Sequence, residues 1–317
     1  MSSIPTQRLG TTGPIVSRIG LGCMGLSGGA TPDNLTDEII ARGIEAFRAA
    51  LAAGITLYDH ADIYGRTACE MVFKHCLNAV DGVRERIVIA TKCGIRGGYY
   101  DLSTDYILKS LEGSLSRLGI DYVDVYQMHR PDPLAHPRDT AKALKRLLDE
   151  GLVKHIAVSN YFPEQLRALE TYLDSRCIIS NQISLSLARL EPFYEGELPW
   201  LGSGILDYCM SKEITPLAYS PVGKGWLTGQ KPIPDDHPNK VALENTVTEL
   251  RKIATDKRAT PGQIALAWLL AHPAGIIPLV GSNNPEHIAD GARAATITLT
   301  REEWYALWRA ARGKGVM

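Results

Sequence analysis

The 317-residue sequence carries almost no excess charge: 34 Lys and Arg stand against 35 Asp and Glu. It contains no run of five like charges, so nothing in it calls for nucleic acid or an anionic membrane as a partner. No stretch approaches the roughly 18 apolar residues that a membrane span needs. The opening residues MSSIPTQRLG lack a basic segment followed by an apolar one, so secretion is not expected. Cysteine is sparse and scattered. Cys23, Cys69, Cys76, Cys93, Cys177 and Cys209 include no CxxC pair and have no histidine at metal spacing, as suits reduced thiols in a cytoplasmic protein. Internal repeats, low-complexity tracts and evident linkers are missing too. What remains is a chain with 45% hydrophobic residues, expected to fold as one domain over residues 1–317.

Short, β-branched, nearly continuous apolar runs begin near Ile19, Ile55, Ile87, Tyr122, His155, Ile178, Ile214 and Ile276, as in buried parallel strands. Helical periods lie between them. Ile40, Ile44, Phe47 and Leu51 make one stripe, and Leu108, Leu111, Leu115 and Leu118 another. Leu144, Leu147 and Leu148 precede Gly151, while Leu166, Leu169 and Leu173 follow Pro163. Ser103 and Gly119 suit the two ends of a helix, and Thr260, Pro261 and Gln263 spell a capping box. About eight strand–helix units predict a (β/α)8 TIM barrel of the α/β class. A doubly wound sheet is the rival, but GLGCMGLSGG runs into Thr31-Pro32 and Asp33-Asn34 rather than opening a helix. The interval from Ile214 to Ile276 is too long for one unit, which predicts a loop excursion around KPIPDDHPNK.

In such a barrel the active site lies at the C-terminal ends of the strands. The run GITLYDHADIYG ends in Asp59, His60, Asp62 and Tyr64, groups that are costly to bury. Other runs also end in polar groups: Lys92, His129, Ser159-Asn160, Asn181-Gln182, Tyr219-Ser220 and Gly281-Ser282. Singly these are weak signals, since a lysine after a strand is ordinarily a solvated surface residue. Together, at one end of every strand, they describe a lined pocket.

The stretches LYDHADIYG, ATKCG, YVDVYQMHRPD, GLVKHIAVSNY, NQISLS, LAYSPVGKGWLTG and LVGSNNPEHI resemble, in order and spacing, the aldo-keto reductase superfamily. The resemblance covers nearly the whole chain and is strongest to bacterial members known as predicted oxidoreductases. It implies an NADP(H)-linked barrel that interconverts aldehydes or ketones with alcohols, sugars included, without a metal. Asp59, Tyr64, Lys92 and His129 fall at the four catalytic positions, none substituted.

The chemistry of these residue types agrees. Carbonyl reduction needs a hydride, which side chains cannot supply, and a proton for the oxyanion. A tyrosine has a pKa near 10, and a neighbouring ammonium should pull it towards the working range. Lys92 would tune Tyr64, Asp59 would keep Lys92 charged, and His129 would donate a hydrogen bond to the substrate oxygen. His60 and Asp62 read as structural, with Asp62 bonding nearby backbone amides. Two rivals stay open. One is a non-catalytic cofactor-sensing scaffold; the other is a metal-dependent hydrolase with Asp59, His60, Asp62 and His129 as ligands.

The resemblance also implies the cofactor contacts. Tyr219 should stack on the nicotinamide, bordered by Gly22, Cys23 and Met24, and Ser159, Asn160 and Gln182 should hold its carboxamide. Ser220, Pro221, Val222, Gly223 and Lys224, with Leu227 behind them, should follow the pyrophosphate. Gly281, Ser282, His287 and Asp290 should receive the adenosine end, near a helix start. Here the pattern departs from NADPH-preferring members: Gly281 replaces a lysine, His287 an arginine and Gly291 an asparagine. Arginine is a permanent bidentate partner for a 2′-phosphate, whereas histidine changes charge between pH 5 and 8. NADP(H) is therefore expected with a reduced margin over NAD(H). Ile63, Tyr99, Tyr100, the RPDP segment, Phe162, Phe193 to Trp200 and Trp226 should wall the substrate pocket, suiting a hydrophobic or sugar-sized carbonyl. The outer helices would leave the protein a monomer or a homodimer.

Overall fold

The computed structural model describes residues 4–193 and 204–313. An antiparallel hairpin comes first, β1 (Thr6–Arg8) pairing with β2 (Ile15–Ser17). Eight parallel strands then close into a barrel in chain order. They are β3 (Gly20–Gly22), β4 (Leu57–Asp59), β5 (Val88–Cys93), β6 (Val123–Met128), β7 (Val153–Ser159), β8 (Ile178–Ser184), β9 (Thr215–Tyr219) and β10 (Ile277–Val280). Each begins within two residues of its predicted start. Helices α1 (Asp37–Ala52), α2 (Ala68–Asn78), α3 (Thr104–Leu118), α4 (Pro137–Asp149), α5 (Pro163–Glu170) and α6 (Ile205–Lys212) follow β3 to β8 in turn. Among the described residues no helix is long and apolar enough to cross a membrane.

The predicted caps are present. Ser103 accepts the amide of Tyr106, Gly119 ends α3 in the left-handed region, and Thr260 and Gln263 cap each other reciprocally. The interval between β9 and β10 differs from expectation. It holds the predicted irregular stretch, but also a helix, α7 (Lys240–Lys257), before α8 (Pro261–Leu270). Leu243, Val247, Leu250 and Ile253 form the buried stripe of α7. The chain closes with α9 (Pro285–Arg293) and α10 (Arg301–Arg312).

Two cores result. The larger fills the space between barrel and helices, as in the packing of Phe47, Tyr58 and Phe73. The smaller lies inside the barrel and comprises Leu57, Val88, Ala90, Val125, Ala157, Ile179, Leu217, Ile277 and Leu279. Leu9 and Val16 of the unpredicted hairpin join this inner cluster, so the hairpin plugs the barrel. Gly20 is required there: a Cβ would sit 2.6 Å from Leu279 Cδ2 and 3.2 Å from Leu57 Cδ2. The apolar filling stops one layer below the C-terminal mouth, where Asp59, Lys92, Gln127 and Gln182 are buried.

Candidate active site

Side chains alternate along a strand, so residues two apart share a face. Leu57 and Asp59, Ala90 and Lys92, and Val125 and Gln127 therefore pair an apolar inner residue with a polar one above it. The ammonium of Lys92 has three N–H donors and all are used. One goes to Asp59 Oδ2 (2.7 Å), one to the His60 carbonyl (2.8 Å) and one to the Tyr64 hydroxyl (3.0 Å). Asp59 Oδ1 accepts from Gln127 Nε2 (2.9 Å) and Gln182 Nε2 (2.8 Å). Gln182 reaches this layer through an irregularity. Between β7 and β8 the register shifts by one residue, so Ile179 and Gln182 both face inward although they are three apart.

Tyr64 arrives from a loop. Gly65, Arg66 and Thr67 directly after it all have positive φ (59°, 51° and 86°), three consecutive left-handed residues that turn the chain into α2. A Cβ at Gly65 would lie 2.6 Å from Ser27 Oγ and 2.9 Å from the Ala30 carbonyl. Strain of this kind persists only where the surroundings over-determine it. The His129 ring stands edge-on to Tyr64, centroids 6.0 Å apart. Its Nδ1 is buried without a partner among the described residues.

Electrostatics follow from burial and from these contacts. Burial works against the charge on Lys92, but Asp59 and Tyr64 outweigh it and hold the ammonium above its ordinary range. The Tyr64 phenol moves the other way from expectation. Burial pushes it up and Asp59 adds to this, while the opposing pull of Lys92 is too small to reverse the direction. Burial, Lys92 and Arg130 push His129 down to about 2, and burial and Lys92 push His60 down to about 3.

Those two histidines make the fold acid-sensitive. Both are neutral in the folded protein, while in the unfolded chain they bind protons below about pH 6.5. The unfolded state then holds more protons, so stability falls as pH drops, by about 1.4 kcal/mol per unit for each histidine. Thermal midpoints between pH 7.5 and 4.5 should show this decline, and His60→Leu should flatten it. An unchanged slope in that variant would place the acid sensitivity elsewhere.

Asp62 is structural, though not through backbone amides as expected. Its Oδ2 accepts from Tyr106 (2.9 Å) and Ser110 (2.8 Å) of α3, anchoring the Tyr64 loop to that helix. His60 packs edge-on to Phe73, centroids 4.3 Å apart, between barrel and α2. Asp59, His60, Asp62 and His129 thus point to different neighbours. Among the described residues no group of three His, Cys, Asp or Glu is arranged to hold a metal.

Polar groups continue from this centre along the ends of β7 to β10. Ser159 Oγ donates to the Gln182 carbonyl (3.0 Å) and accepts from Asn160 Nδ2 (2.8 Å). Asn160 Oδ1 accepts from the Tyr219 hydroxyl (3.0 Å), which fixes the partly exposed Tyr219 ring. Gln182 Oε1 has no partner among the described residues. Ser220 and Lys224 are exposed with positive φ, Val222 is partly exposed, and Pro221 and Gly223 lie beneath. A Cβ on Gly281 would meet nothing within 4 Å, and on Gly22 nothing nearer than 3.7 Å, so this side is open. The partly exposed Ser282 and exposed His287 flank the start of α9, with His287 Nε2 3.3 Å from Gln230 Nε2. Met24 is 67% exposed at the rim, and Cys23 is buried with its thiol towards the Leu21 carbonyl.

A family model described as Aldo/keto reductase family matches residues 18–311, nearly the full length of this barrel. The chain belongs to that family.

Among relatives of this aldo/keto reductase is a 6-dehydroglucose reductase of Agrobacterium fabrum, 37% identical over 278 residues, spanning 84% of this chain and 87% of the relative. The aldo-keto reductase yakc [NADP(+)] of Schizosaccharomyces pombe is 31% identical over 321 residues, covering 94% and 88%. The crystal structure of a thermostable aldo-keto reductase, Tm1743, with the inhibitor epalrestat superposes with a TM-score of 0.80. It is 27% identical and covers 97% of this chain and all of that one. Members of the family use nicotinamide cofactors.

Three residues assigned to the site from the sequence have neighbours in the fold that were not expected. Leu227 is fully buried, packed under the loop that carries Lys224, and has no surface to offer a ligand. Asp290 is committed to the fold: its carboxylate accepts from Thr260, Gln263 and Arg293 and so ties the start of α8 to α9. Phe193 leaves the substrate wall for the aromatic cluster of Trp268, Trp304 and Trp308. Residues 194–200 of that wall lie outside the described residues, whereas Ile63, Tyr99, Tyr100 and Phe162 are exposed on loops after the strands. Gln127 is the residue that sequence reasoning missed. Its signal was available, since it stands two before His129 and so shares that residue's inward face.

Proposed function

We propose that this family member is an NADP(H)-preferring carbonyl reductase, able to use NAD(H), that interconverts a small aldehyde or ketone with its alcohol. The observation that carries this reading is the Lys92 ammonium shared between Asp59 and Tyr64 beneath the barrel mouth. Bound nicotinamide supplies the hydride. Tyr64 gives the proton to the developing alkoxide; its raised pKa keeps the phenol protonated, the form that can donate. Lys92, held charged by Asp59, stabilises the phenolate left behind. Neutral His129 donates from Nε2 to the substrate oxygen, in keeping with an Nδ1 that has no acceptor to receive a proton. Tyr219 would form the wall for the nicotinamide, and Ser159, Asn160 and Gln182 would take its carboxamide. Lys224 and the Ser220–Gly223 segment would hold the pyrophosphate, and Ser282 and His287 the adenosine end. The names of the bacterial relatives support a sugar-sized polar aldehyde as substrate.

Side-by-side titration with NADPH and NADH, read by tryptophan quenching, tests the assignment. NADPH is expected to bind more tightly. Its margin over NADH should narrow in His287→Ala, which removes the side chain at the start of α9. Failure of both nucleotides to bind at millimolar levels would overturn the reading.

A further inference from the structure

We propose that Arg130 is the substrate-recognition residue of this site and that the substrate is an aldehyde bearing an oxyanion, carboxylate or phosphate. Arg130 directly follows His129 at the end of β6 and is partly buried. Its loop is held in place: the Asp132 carboxylate accepts the amides of Leu102 (2.9 Å) and Leu134 (2.9 Å), pinning the loop after β6 to the loop after β5. From this base Arg130 Nη2 reaches towards the Tyr219 hydroxyl, at a long 3.5 Å. That hydroxyl already donates its hydrogen to Asn160.

Among the described residues the rest of the guanidinium has no hydrogen-bond partner. No carboxylate of the described residues lies within 4 Å of Arg130. The acidic groups that face the mouth are taken, Asp59 by three donors and Asp132 by two amides. A guanidinium is always charged and offers five N–H donors in a planar fork. Holding it partly desolvated without a counter-ion is costly, and the natural complement is a planar carboxylate or a phosphate bound bidentately. The Tyr219 hydroxyl that Arg130 reaches bonds Asn160, whose Nδ2 donates to the His129 carbonyl (3.3 Å), so an anion on Arg130 sits on the wall of the same mouth.

This inference rests on the carbonyl-reductase reading and names its substrate class. The test is steady-state reduction of two matched pairs, glyceraldehyde 3-phosphate against glyceraldehyde and succinic semialdehyde against butanal, by wild type, Arg130→Met and Arg130→Lys. Wild type should favour the charged member of at least one pair by about ten- to a hundredfold in kcat/KM, chiefly through KM. Arg130→Met should bring that ratio towards one, and Arg130→Lys should keep part of it. The pair that responds distinguishes phosphate from carboxylate. No preference in wild type, or a preference that survives Arg130→Met, overturns the proposal. So does a loss of NADPH affinity in Arg130→Met that lowers both members of a pair equally, because the guanidinium then serves the cofactor. Should wild type reduce none of the four, the reductase reading is at fault, and calorimetry with succinate and inorganic phosphate decides the anion site separately. Uptake by wild type but not by Arg130→Met retains it, and equal or absent uptake removes it.

Discussion

Replacing Tyr64 by phenylalanine removes one hydroxyl and is expected to lower kcat by about a hundred- to ten-thousandfold, with NADPH still bound. The ring keeps its place beside His129, so the loss isolates the proton. Steady-state turnover paired with nucleotide titration gives the answer. Loss of both activity and binding would point to a collapsed Tyr64 loop, and full activity would remove Tyr64 from the chemistry. The pH dependence carries further information. The Tyr64 phenol sits above its ordinary range and His129 far below its own, so neither changes charge between pH 5 and 8. Reductive kcat should therefore be flat across that range as far as these two groups are concerned.

Lys92→Met is the second large effect, and it reaches stability as well as rate. Methionine fills much of the same space but leaves Asp59 buried with only Gln127 and Gln182 as donors. Removing one partner of a buried ion pair typically costs about 3–5 kcal/mol. With an unfolding entropy of about 2.1 cal/mol/K per residue, a chain of this length should lose roughly 4–8 °C in thermal midpoint. With Lys92 gone, the Asp59 carboxylate keeps two amide donors but loses its counter-ion, so the cost lies in an uncompensated buried charge. Adding Asp59→Asn to Lys92→Met should recover part of the loss at pH 7. A variant as stable as wild type at pH 7 would mean that the pair does not hold the mouth together.

Much of this protein could be read from its residues. Eight apolar runs at strand length gave the barrel because parallel strands covered on both faces must be continuously apolar, and that is a local property. The polar ends of those runs marked the mouth for the same reason: a buried run that stops at Asp59, Lys92 and His129 has to emerge somewhere. The stripe of α7 was equally available, with Leu243, Val247, Leu250 and Ile253 at helical spacing, but the prolines before it drew attention to the loop.

Other features belong to the sum over neighbours. That Gln182 faces Asp59 depends on a register shift between β7 and β8, which no alternation rule discloses. That Asp62 bonds Tyr106 and Ser110 depends on where α3 docks, 44 and 48 residues along the chain. That Leu9 and Val16 plug the barrel depends on the barrel having closed. The direction of the Tyr64 shift is the sharpest case. Sequence placed a lysine near a tyrosine and so predicted a lower pKa; only the tertiary structure supplies the burial that outweighs it. By itself the sequence determined which residues meet at the mouth, because strand periodicity aims them there. The folded chain decided how each is charged and paired, because desolvation and long-range contacts exist only once the barrel is closed.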